Sequence, residues 1–342
     1  MKALTIDGYG MEHVALRELP DPEPAPGEVT VRVRAAAVNR LDLWTLSGAL
    51  KIPHEFPHVL GADGAGIVET VGQGVSGIRP GAEVMINPGT SCGRCEFCRA
   101  GEQSLCTNFK MLGEHMPGTF AELVSVKASN VFPFPAGFTY AQAAALGTTF
   151  ITAYRMLFTR GRMAPGEWVL VTGIGGGLGV SLFQLAQPLA GKLFVTSSSA
   201  DKIERARGMG ADGAVNYREE DPGKAIRHVT GKRGVDLVVD SAAGDSLEPS
   251  LRALRRGGRL VNAGATAGPK VEIDMRRVFW NQIEIIGSTM GSDADVSDML
   301  RMVSGLRIEP VIDRTYALSD GVRAVERLDE QDHFGKVVLE VS

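Results

Sequence analysis

The stretch that decides the fold is Trp168–Phe183, which reads WVLVTGIGGGLGVSLF. It passes from an unbroken apolar run, typical of a buried strand, through a glycine-rich turn into an apolar helical pattern. Gly173, Gly176 and Gly179 follow the spacing G-x-x-G-x-x-G, whereas Leu178 stands where a strict G-x-G-x-x-G would need glycine. Glycines let the backbone approach a pyrophosphate at the positive end of a helix. The arrangement predicts a dinucleotide site, the alternative being a flexible turn.

Apolar strand candidates recur through the second region of the chain, at about 149–289, with helical patterns between them. Strands that alternate with helices predict a doubly wound parallel sheet. The absence of polar alternation within the strands is typical of strands covered on both faces. The six candidates are 168–172, 192–196, 214–216, 235–240, 258–262 and 283–286.

The chain on either side of this region has a different texture. Up to about Leu146 it offers short strand candidates separated by Gly and Pro, and residues 29–34 alternate as a half-buried strand does. We predict a compact, barrel-like β domain there. After about Met290 we expect a helix near 295–306. A last strand at Gly335–Val341 has no place in the parallel sheet and is expected to return to the first domain.

The end of the second parallel strand bears on the choice of cofactor. An NAD site usually has Asp or Glu there to hold the ribose hydroxyls. This chain has Ser197, Ser198 and Ser199, followed by Lys202, which leave room and charge for a 2′-phosphate. We therefore predict NADP(H) in preference to NAD(H). The nearest acid, Asp201, is either a helix N-cap or a displaced ribose ligand.

All the cysteines of the chain lie in one short segment with the spacing C-x2-C-x2-C-x7-C. Four thiolates complete a tetrahedron around zinc at about 2.3 Å and leave no open position for water or substrate. We predict one structural Zn²⁺, with reduced bystander thiols or an iron–sulfur cluster as alternatives. The expected ligands are Cys92, Cys95, Cys98 and Cys106.

Charge and hydropathy narrow the range of partners. The net charge of -4 over 342 residues argues against nucleic acid or an acidic membrane face as a partner. No apolar run reaches the ~18 residues of a membrane span, and the first residues lack a secretory h-region. We expect a cytoplasmic protein that acts on a small molecule and binds neither nucleic acid nor membrane.

Several motifs together resemble the medium-chain dehydrogenase/reductase superfamily, which includes zinc alcohol dehydrogenases and quinone oxidoreductases. The resemblance covers nearly the whole chain, and it implies an NAD(P)-dependent oxidoreductase whose cysteine lobe binds the family's structural zinc. It also implies an α/β fold, with a Rossmann domain over 149–292 and a GroES-like β-barrel catalytic domain over 1–148 and 293–342. Besides the cysteine segment and the glycine turn, the motifs are 26–29 (PGEV), 39–42 (NRLD), 61–66 (GADGAG), 71–75 (VGQGV) and 80–84 (PGAEV).

The sequence departs from the family where its catalytic-zinc members hold a second metal. Those members use a Cys, the His of a Gly-His-Glu segment, and a further Cys or Asp. Here the three positions read Asn39, Ala62 and Thr148, and alanine cannot ligate a metal. We expect catalysis without that metal, in which Asn39, Thr148 or an ordered water donates a hydrogen bond to the acceptor oxygen. The candidate catalytic residues are Asn39, Asp42, Asp63 and Thr148.

The resemblance also implies a set of cofactor contacts and self-association. We expect a homodimer or homotetramer, because the apolar strand candidate at Ile283–Thr289 could pair with its copy at a sheet edge. The expected cofactor-binding residues are Arg40, Thr152, Gly173, Gly176, Gly177, Leu178, Gly179, Ser197, Ser198, Lys202, Tyr217, Ala263, Gly264 and Ser288.

Three functions remain open on the sequence. The main hypothesis is an NAD(P)H-dependent reductase of a quinone, an enone or an activated carbonyl, working without a catalytic zinc. The second is a zinc-type alcohol dehydrogenase with an atypical catalytic metal, rebuilt from residues such as His54, His58, Asp42 and Asp63, with His115 as a further candidate. The third is a nucleotide-binding protein without catalytic activity.

Overall fold

The computed structural model describes every residue from Met1 to Ser342. The chain divides into two compact units. One unit consists of Met1–Ile151 and Gly291–Ser342, and the other of Thr152–Met290. No helix is both long enough and apolar enough to cross a bilayer.

The helices and strands are numbered from the amino terminus. The strands are β1 (Lys2–Ile6), β2 (Val14–Glu18), β3 (Glu28–Val38), β4 (His58–Val59), β5 (Asp63–Val71), β6 (Glu83–Ile86), β7 (Gly89–Thr90), β8 (Lys110–Met111), β9 (Leu123–Lys127), β10 (Val131–Phe132), β11 (Trp168–Val171), β12 (Lys192–Ser197), β13 (Gly213–Asn216), β14 (Val235–Asp240), β15 (Leu254–Asn262), β16 (Glu284–Gly287), β17 (Ile312–Ala317) and β18 (Lys336–Glu340). The α-helices are α1 (Arg40–Ser47), α2 (Glu96–Arg99), α3 (Tyr140–Ala145), α4 (Thr148–Tyr154), α5 (Gly177–Ala186), α6 (Ala200–Gly208), α7 (Pro222–Val229), α8 (Leu247–Ala253), α9 (Met275–Asn281), α10 (Asp293–Leu306) and α11 (Gly321–Asp329).

The unit Thr152–Met290 is built on one six-stranded sheet in the order β13-β12-β11-β14-β15-β16, with every pair of neighbours parallel. The prediction of a doubly wound sheet is confirmed, and five of the six strands lie within one or two residues of their predicted bounds. The exception is β15, which begins four residues earlier than expected. Strands β11 and β14 are buried almost throughout, and this burial includes Asp236 and Asp240 of β14.

The other unit is mostly β structure. Its main sheet runs in the order β10-β6-β5-β3-β18-β17, and β9 also pairs with β3. Smaller sheets form from β2-β1-β4 and β7-β8. The core of this unit is hydrophobic, with Leu4, Ile6, Leu60 and Phe120 fully buried. The last strand, β18, lies antiparallel to β3 and belongs to this unit.

The order of three strands in this sheet positions the site described below. Asp63 opens β5 and pairs with Ala37 of β3, while Val337 of β18 pairs with Val38. The beginnings of β5 and β18 therefore flank the end of the central strand β3. Asn39, which follows β3, and Lys336, which opens β18, are thereby brought beside Asp63.

Candidate active site and metal centre

The glycine turn closes β11 and opens α5, as the sequence predicts. A Cβ added at Gly173 or Gly176 would meet no atom within 4 Å, so open space lies beside the backbone there. At Gly179 a Cβ would lie 2.5 Å from the carbonyl oxygen of Gly173, so only glycine lets the helix pack this closely on the turn. The turn therefore offers an unobstructed backbone face at a helix N-terminus, which fits a pyrophosphate.

Two of the residues singled out after β12, Ser199 and Lys202, take defined positions at the start of α6. Ser199 is the N-cap of α6, where its hydroxyl accepts a hydrogen bond from the Lys202 backbone N–H at 3.4 Å. Asp201 lies inside the first turn of α6, so its N-cap interpretation is wrong. The Lys202 side chain reaches back over the glycine turn, since a Cβ at Gly175 would come within 3.3 Å of its Nζ. An ammonium group thus lies close to the predicted phosphate position.

A buried carboxylate that the sequence analysis did not single out joins the carboxyl ends of three neighbouring strands. Asp240, at the end of β14, is fully buried. It accepts hydrogen bonds from the hydroxyl of Thr172 at 2.8 Å, the hydroxyl of Ser246 at 2.9 Å and the side-chain amide of Asn262 at 3.0 Å. The backbone N–H groups of Ala242 and Ala243 also donate to it. Asp240 therefore fixes the loops that follow β11, β14 and β15.

Among the other predicted cofactor residues of this unit, Thr152 is buried in α4, and the following four lie near those loops or at the surface. Ala263 and Gly264 follow β15 directly, and the Ala263 N–H donates to the Asp240 carbonyl. Ser288 follows β16, and its hydroxyl oxygen is buried without a hydrogen-bond partner. Tyr217 is half exposed. The Ser288 hydroxyl is an orphaned polar group of the kind that a bound polar ligand would satisfy.

The four cysteines form a metal centre in the loop between β7 and β8. Their Sγ atoms all lie within 4.8 Å of one another. The Cys92–Cys98 and Cys95–Cys98 Sγ distances are 3.9 and 3.4 Å, close to the ~3.8 Å between thiolates of a tetrahedral zinc site. The backbone N–H groups of Arg94 and Cys95 lower the pKa of the Cys92 thiol to about 6, which favours the ligating thiolate. These residues fit a closed, structural zinc site.

The predicted catalytic residues meet around a side chain that the sequence analysis missed. The Lys336 Nζ donates to Asn39 Oδ1 at 2.6 Å and to Asp63 Oδ2 at 2.9 Å. Lys336 is 3% exposed and Asp63 is fully buried, so the two form an ion pair shielded from water. Asn39 is also buried, and its amide donates to Asp63 Oδ2 at 2.9 Å and to the Ala37 carbonyl at 3.1 Å.

Thr148 completes the partners of Asp63. Its backbone N–H and its hydroxyl both donate to Asp63 Oδ1, at 2.6 and 2.7 Å. The preceding residue, Gly147, packs directly on the carboxylate, because a Cβ there would lie 2.3 Å from Asp63 Oδ1. Since the Thr148 hydroxyl and both amide hydrogens of Asn39 are used within the protein, neither residue has a hydrogen to donate to an acceptor oxygen. The structure therefore does not support the donor role expected of them.

Asp42 contacts the group formed by Asn39, Asp63 and Lys336 through the backbone of Asn39. Its Oδ2 accepts the Asn39 N–H at 2.7 Å, from the third position of α1. Asp42 is 1% exposed, and this burial raises the pKa of its carboxyl group from 3.8 to about 7. It thus titrates near neutral pH in the folded protein.

The histidines considered as a rebuilt metal site are used elsewhere. His54 Nε2 bonds to the Glu114 carbonyl at 2.8 Å, and His58 Nε2 to the Gly113 carbonyl at 3.0 Å. The His115 Nδ1 accepts from the Met111 N–H at 3.3 Å. The four cysteines are the one group of three or more potential metal ligands in the chain. The histidine and carboxylate side chains are therefore not arranged as a second metal centre.

Comparison with known proteins agrees with this geometry. Residues 25–136 match the family model of the alcohol dehydrogenase GroES-like domain, and 177–305 match that of the zinc-binding dehydrogenases. A crystal structure of an NAD-dependent alcohol dehydrogenase is 42% identical, with a TM-score of 0.94 and full coverage of both chains. An alcohol dehydrogenase of Schizosaccharomyces pombe is 30% identical over 97% of this chain and 95% of its own. An acryloyl-coenzyme A reductase of Metallosphaera sedula is 30% identical over 99% of both.

The chain belongs to the medium-chain dehydrogenase/reductase superfamily. Within it, the chain is an NAD(P)-dependent oxidoreductase of the zinc-binding dehydrogenase group, with a four-cysteine structural zinc site. The GroES-like and Rossmann folds predicted from the resemblance are confirmed.

Proposed function

We propose that the protein uses NAD(P)H to reduce an electrophilic acceptor, such as a quinone, an enone or an activated carbonyl, without a catalytic zinc. The observation that carries the proposal is the Lys336 ammonium bonded to Asn39 and Asp63. These residues, with Thr148, stand at or beside the positions that hold the second metal in catalytic-zinc relatives. A bound reduced nicotinamide would supply the hydride.

The hydrogen bonds that Asp63 already accepts argue against a metal bound to its carboxylate. A carboxylate has about four acceptor sites, and Asp63 receives four donors from Thr148, Asn39 and Lys336. A metal would have to displace a buried ammonium that already neutralises the carboxylate. Without a Lewis acid, the acceptor must be electrophilic by itself, which favours the activated substrates named above over simple ketones.

The names of relatives support a further narrowing within this class. The Metallosphaera sedula relative is named for reduction of acryloyl-coenzyme A, whose double bond is conjugated to a thioester carbonyl. Such a conjugated acceptor needs no metal to accept hydride at its β-carbon. Among the proposed acceptors, we therefore favour α,β-unsaturated carbonyl compounds.

The test is to follow NADH and NADPH oxidation at 340 nm with 1,4-benzoquinone, 2-cyclohexenone, crotonyl-coenzyme A and benzaldehyde. We expect turnover of at least one conjugated acceptor that is unchanged by a chelator too weak to strip the cysteine site. No oxidation with any of them would refute the proposal and favour a nucleotide-binding protein without catalytic activity.

An alcohol dehydrogenase with an atypical catalytic metal is the second candidate, favoured by the relatives named alcohol dehydrogenase. Metal analysis separates the two functions. The zinc-free reductase predicts one zinc per chain, held by the cysteines, whereas the alternative predicts two and alcohol oxidation that a chelator abolishes.

The preference for NADP(H) belongs to the same proposal. The Lys202 ammonium close to the glycine turn and the small hydroxyls of Ser197 and Ser198 suit a 2′-phosphate better than a ribose diol. Titration of the protein with NADPH and NADH should show tighter binding of NADPH. Lys202→Ala should weaken NADPH binding about tenfold and leave NADH nearly unchanged, and equal effects on both would contradict the assignment.

Self-association is proposed through β16, the edge strand of the parallel sheet. All four of its residues are at least partly exposed, including Ile285 at 42%. Phe279 and Trp280 of α9 are exposed at 64% and 69%. An apolar edge strand next to exposed aromatic side chains is suited to pairing with its copy. Gel filtration should show an oligomer that Ile285→Asp dissociates, and a monomeric wild-type protein would refute this.

A further inference from the structure

Lys336 has a hydrogen-bonding capacity that the protein does not use. A lysine ammonium carries three N–H donors. Two acceptors lie within reach of the Lys336 Nζ, namely Asn39 Oδ1 and Asp63 Oδ2. One N–H of a side chain that is 97% buried is therefore left without a protein acceptor.

A buried cation with an N–H that has no acceptor lowers the stability of the folded protein. Leaving a buried donor unsatisfied costs about 1–3 kcal/mol, and more when the group is charged. Native proteins rarely leave such groups without a partner, which is then an ordered water or a ligand. The surrounding side chains cannot reorient to accept a hydrogen bond from this N–H. Asn39 is held by three hydrogen bonds of its own side chain, and both Asp63 oxygens are saturated.

We propose that this third N–H of Lys336 donates to the carbonyl oxygen of the acceptor, so that Lys336 is the electrophilic catalytic residue of the reduction. The inference rests on the proposed function. A fixed ammonium is suited to the task because hydrogen bonds from a charged donor are strong and need no reorganisation when negative charge develops on the oxygen.

The chemistry balances without a further reactant. The electrophilic carbon of the acceptor gains a hydride, with its electron pair, from the reduced nicotinamide. The π electrons of the acceptor move onto its oxygen, which becomes an alkoxide or an enolate that accepts the Lys336 N–H. Water supplies the proton that completes the product, so Lys336 keeps its three hydrogens and Asp63 its charge.

The experiment must remove the ammonium without leaving Asp63 as a buried, unpaired anion. Asp63→Asn serves as the background, because the amide keeps an oxygen for Thr148 and carries no charge. Lys336→Met is then added to it. The matched control adds Lys192→Met, which removes a half-exposed lysine paired with Asp212 at the start of β12. Circular dichroism and thermal melting confirm that each variant is folded.

Two readouts are compared. The first is kcat/KM for NAD(P)H-dependent reduction of 2-cyclohexenone and 1,4-benzoquinone. The second is binding of 4-fluorophenol, a mimic of the developing oxyanion, followed by ¹⁹F NMR in the absence of turnover. We expect Lys336→Met to lower kcat/KM at least 100-fold and phenolate affinity at least tenfold relative to the background, as loss of an oxyanion donor does. Lys192→Met should change neither more than twofold.

The proposal is overturned if folded Asp63→Asn/Lys336→Met matches Asp63→Asn within threefold on both readouts, since the third N–H would then serve only a buried water. This outcome is distinct from failure of the proposed function. If the wild-type protein reduces no acceptor, the reductase assignment fails, while the ¹⁹F titration still tests whether Lys336 binds an anionic oxygen.

Discussion

The buried ion pair between Lys336 and Asp63 makes a quantitative prediction about stability. Removing one partner of a buried pair strands the other charge in a low-dielectric interior and typically costs about 3–5 kcal/mol. The Lys336 Nζ and Asp63 Oδ2 are 2.9 Å apart, and the side chains are 3% and 0% exposed, so this full cost should apply. We expect Lys336→Met to lower the free energy of unfolding by about 3–5 kcal/mol.

The double variant distinguishes an ion pair from ordinary packing. Replacing both partners leaves no stranded charge, so Asp63→Asn/Lys336→Met should be more stable than Lys336→Met alone despite carrying one more substitution. Urea unfolding of the four proteins of the cycle measures the coupling energy, which should exceed about 2 kcal/mol.

The half-exposed pair of Lys192 and Asp212 provides the control. Lys192→Met should cost no more than about 1 kcal/mol, as is usual for surface pairs. The reasoning fails if Lys336→Met is as mild as Lys192→Met, or if the effects of the two single substitutions at the buried pair simply add.

Three further predictions concern Asp42, the cysteines and Gly147. Burial raises the pKa of Asp42 from 3.8 to about 7, so the folded state binds this proton more tightly and its contribution to stability is lost as pH rises from 3.8 to 7. The stability of Asp42→Asn relative to wild type should therefore rise across that interval, by up to about 4 kcal/mol, and should not change further above pH 8. A difference in stability that does not depend on pH would contradict the raised pKa of Asp42. Cys92→Ser should reduce the zinc content measured by plasma emission from one per chain to near zero and lower the melting temperature, and retention of zinc would show that the four thiolates are not its ligands. Gly147→Ala should lower the free energy of unfolding by about 1–3 kcal/mol, because the added Cβ would meet Asp63. In Gly208→Ala the added Cβ meets no atom within 4 Å, so this control should be neutral or stabilising. Equal effects of the two substitutions on stability would contradict the close packing of Gly147 on Asp63.

Much of the fold could be predicted because its determinants are local. The apolar runs of β11 and β14, the glycine turn and the cysteine spacing each depend on residues within a short stretch of chain. The bounds of β15 were less predictable, because its first half contains Arg255, Arg256 and two glycines, which are not typical of a buried strand. The start of β15 is decided by its pairing with β14.

The candidate site could be predicted only in part. Asn39, Ala62 and Thr148 were identifiable as departures from a family pattern. Lys336, which bonds to Asn39 and Asp63, was not, because it is 273 residues beyond Asp63. A lysine at the start of an apolar strand looks like a residue with an exposed tip. The available signal was Asp63 itself, because an acid inside the apolar segment 60–68 requires a cation or several donors when it is buried.

The separation of 273 residues between Asp63 and Lys336 has a consequence for synthesis on the ribosome. A nascent chain carries Asp63 and its neighbours long before the counter-ion exists. The strands around Asp63 therefore cannot reach their final stability until Lys336 has left the exit tunnel. A chain cut off before Lys336 should be removed by quality-control proteases, because it retains the buried acid without its cation.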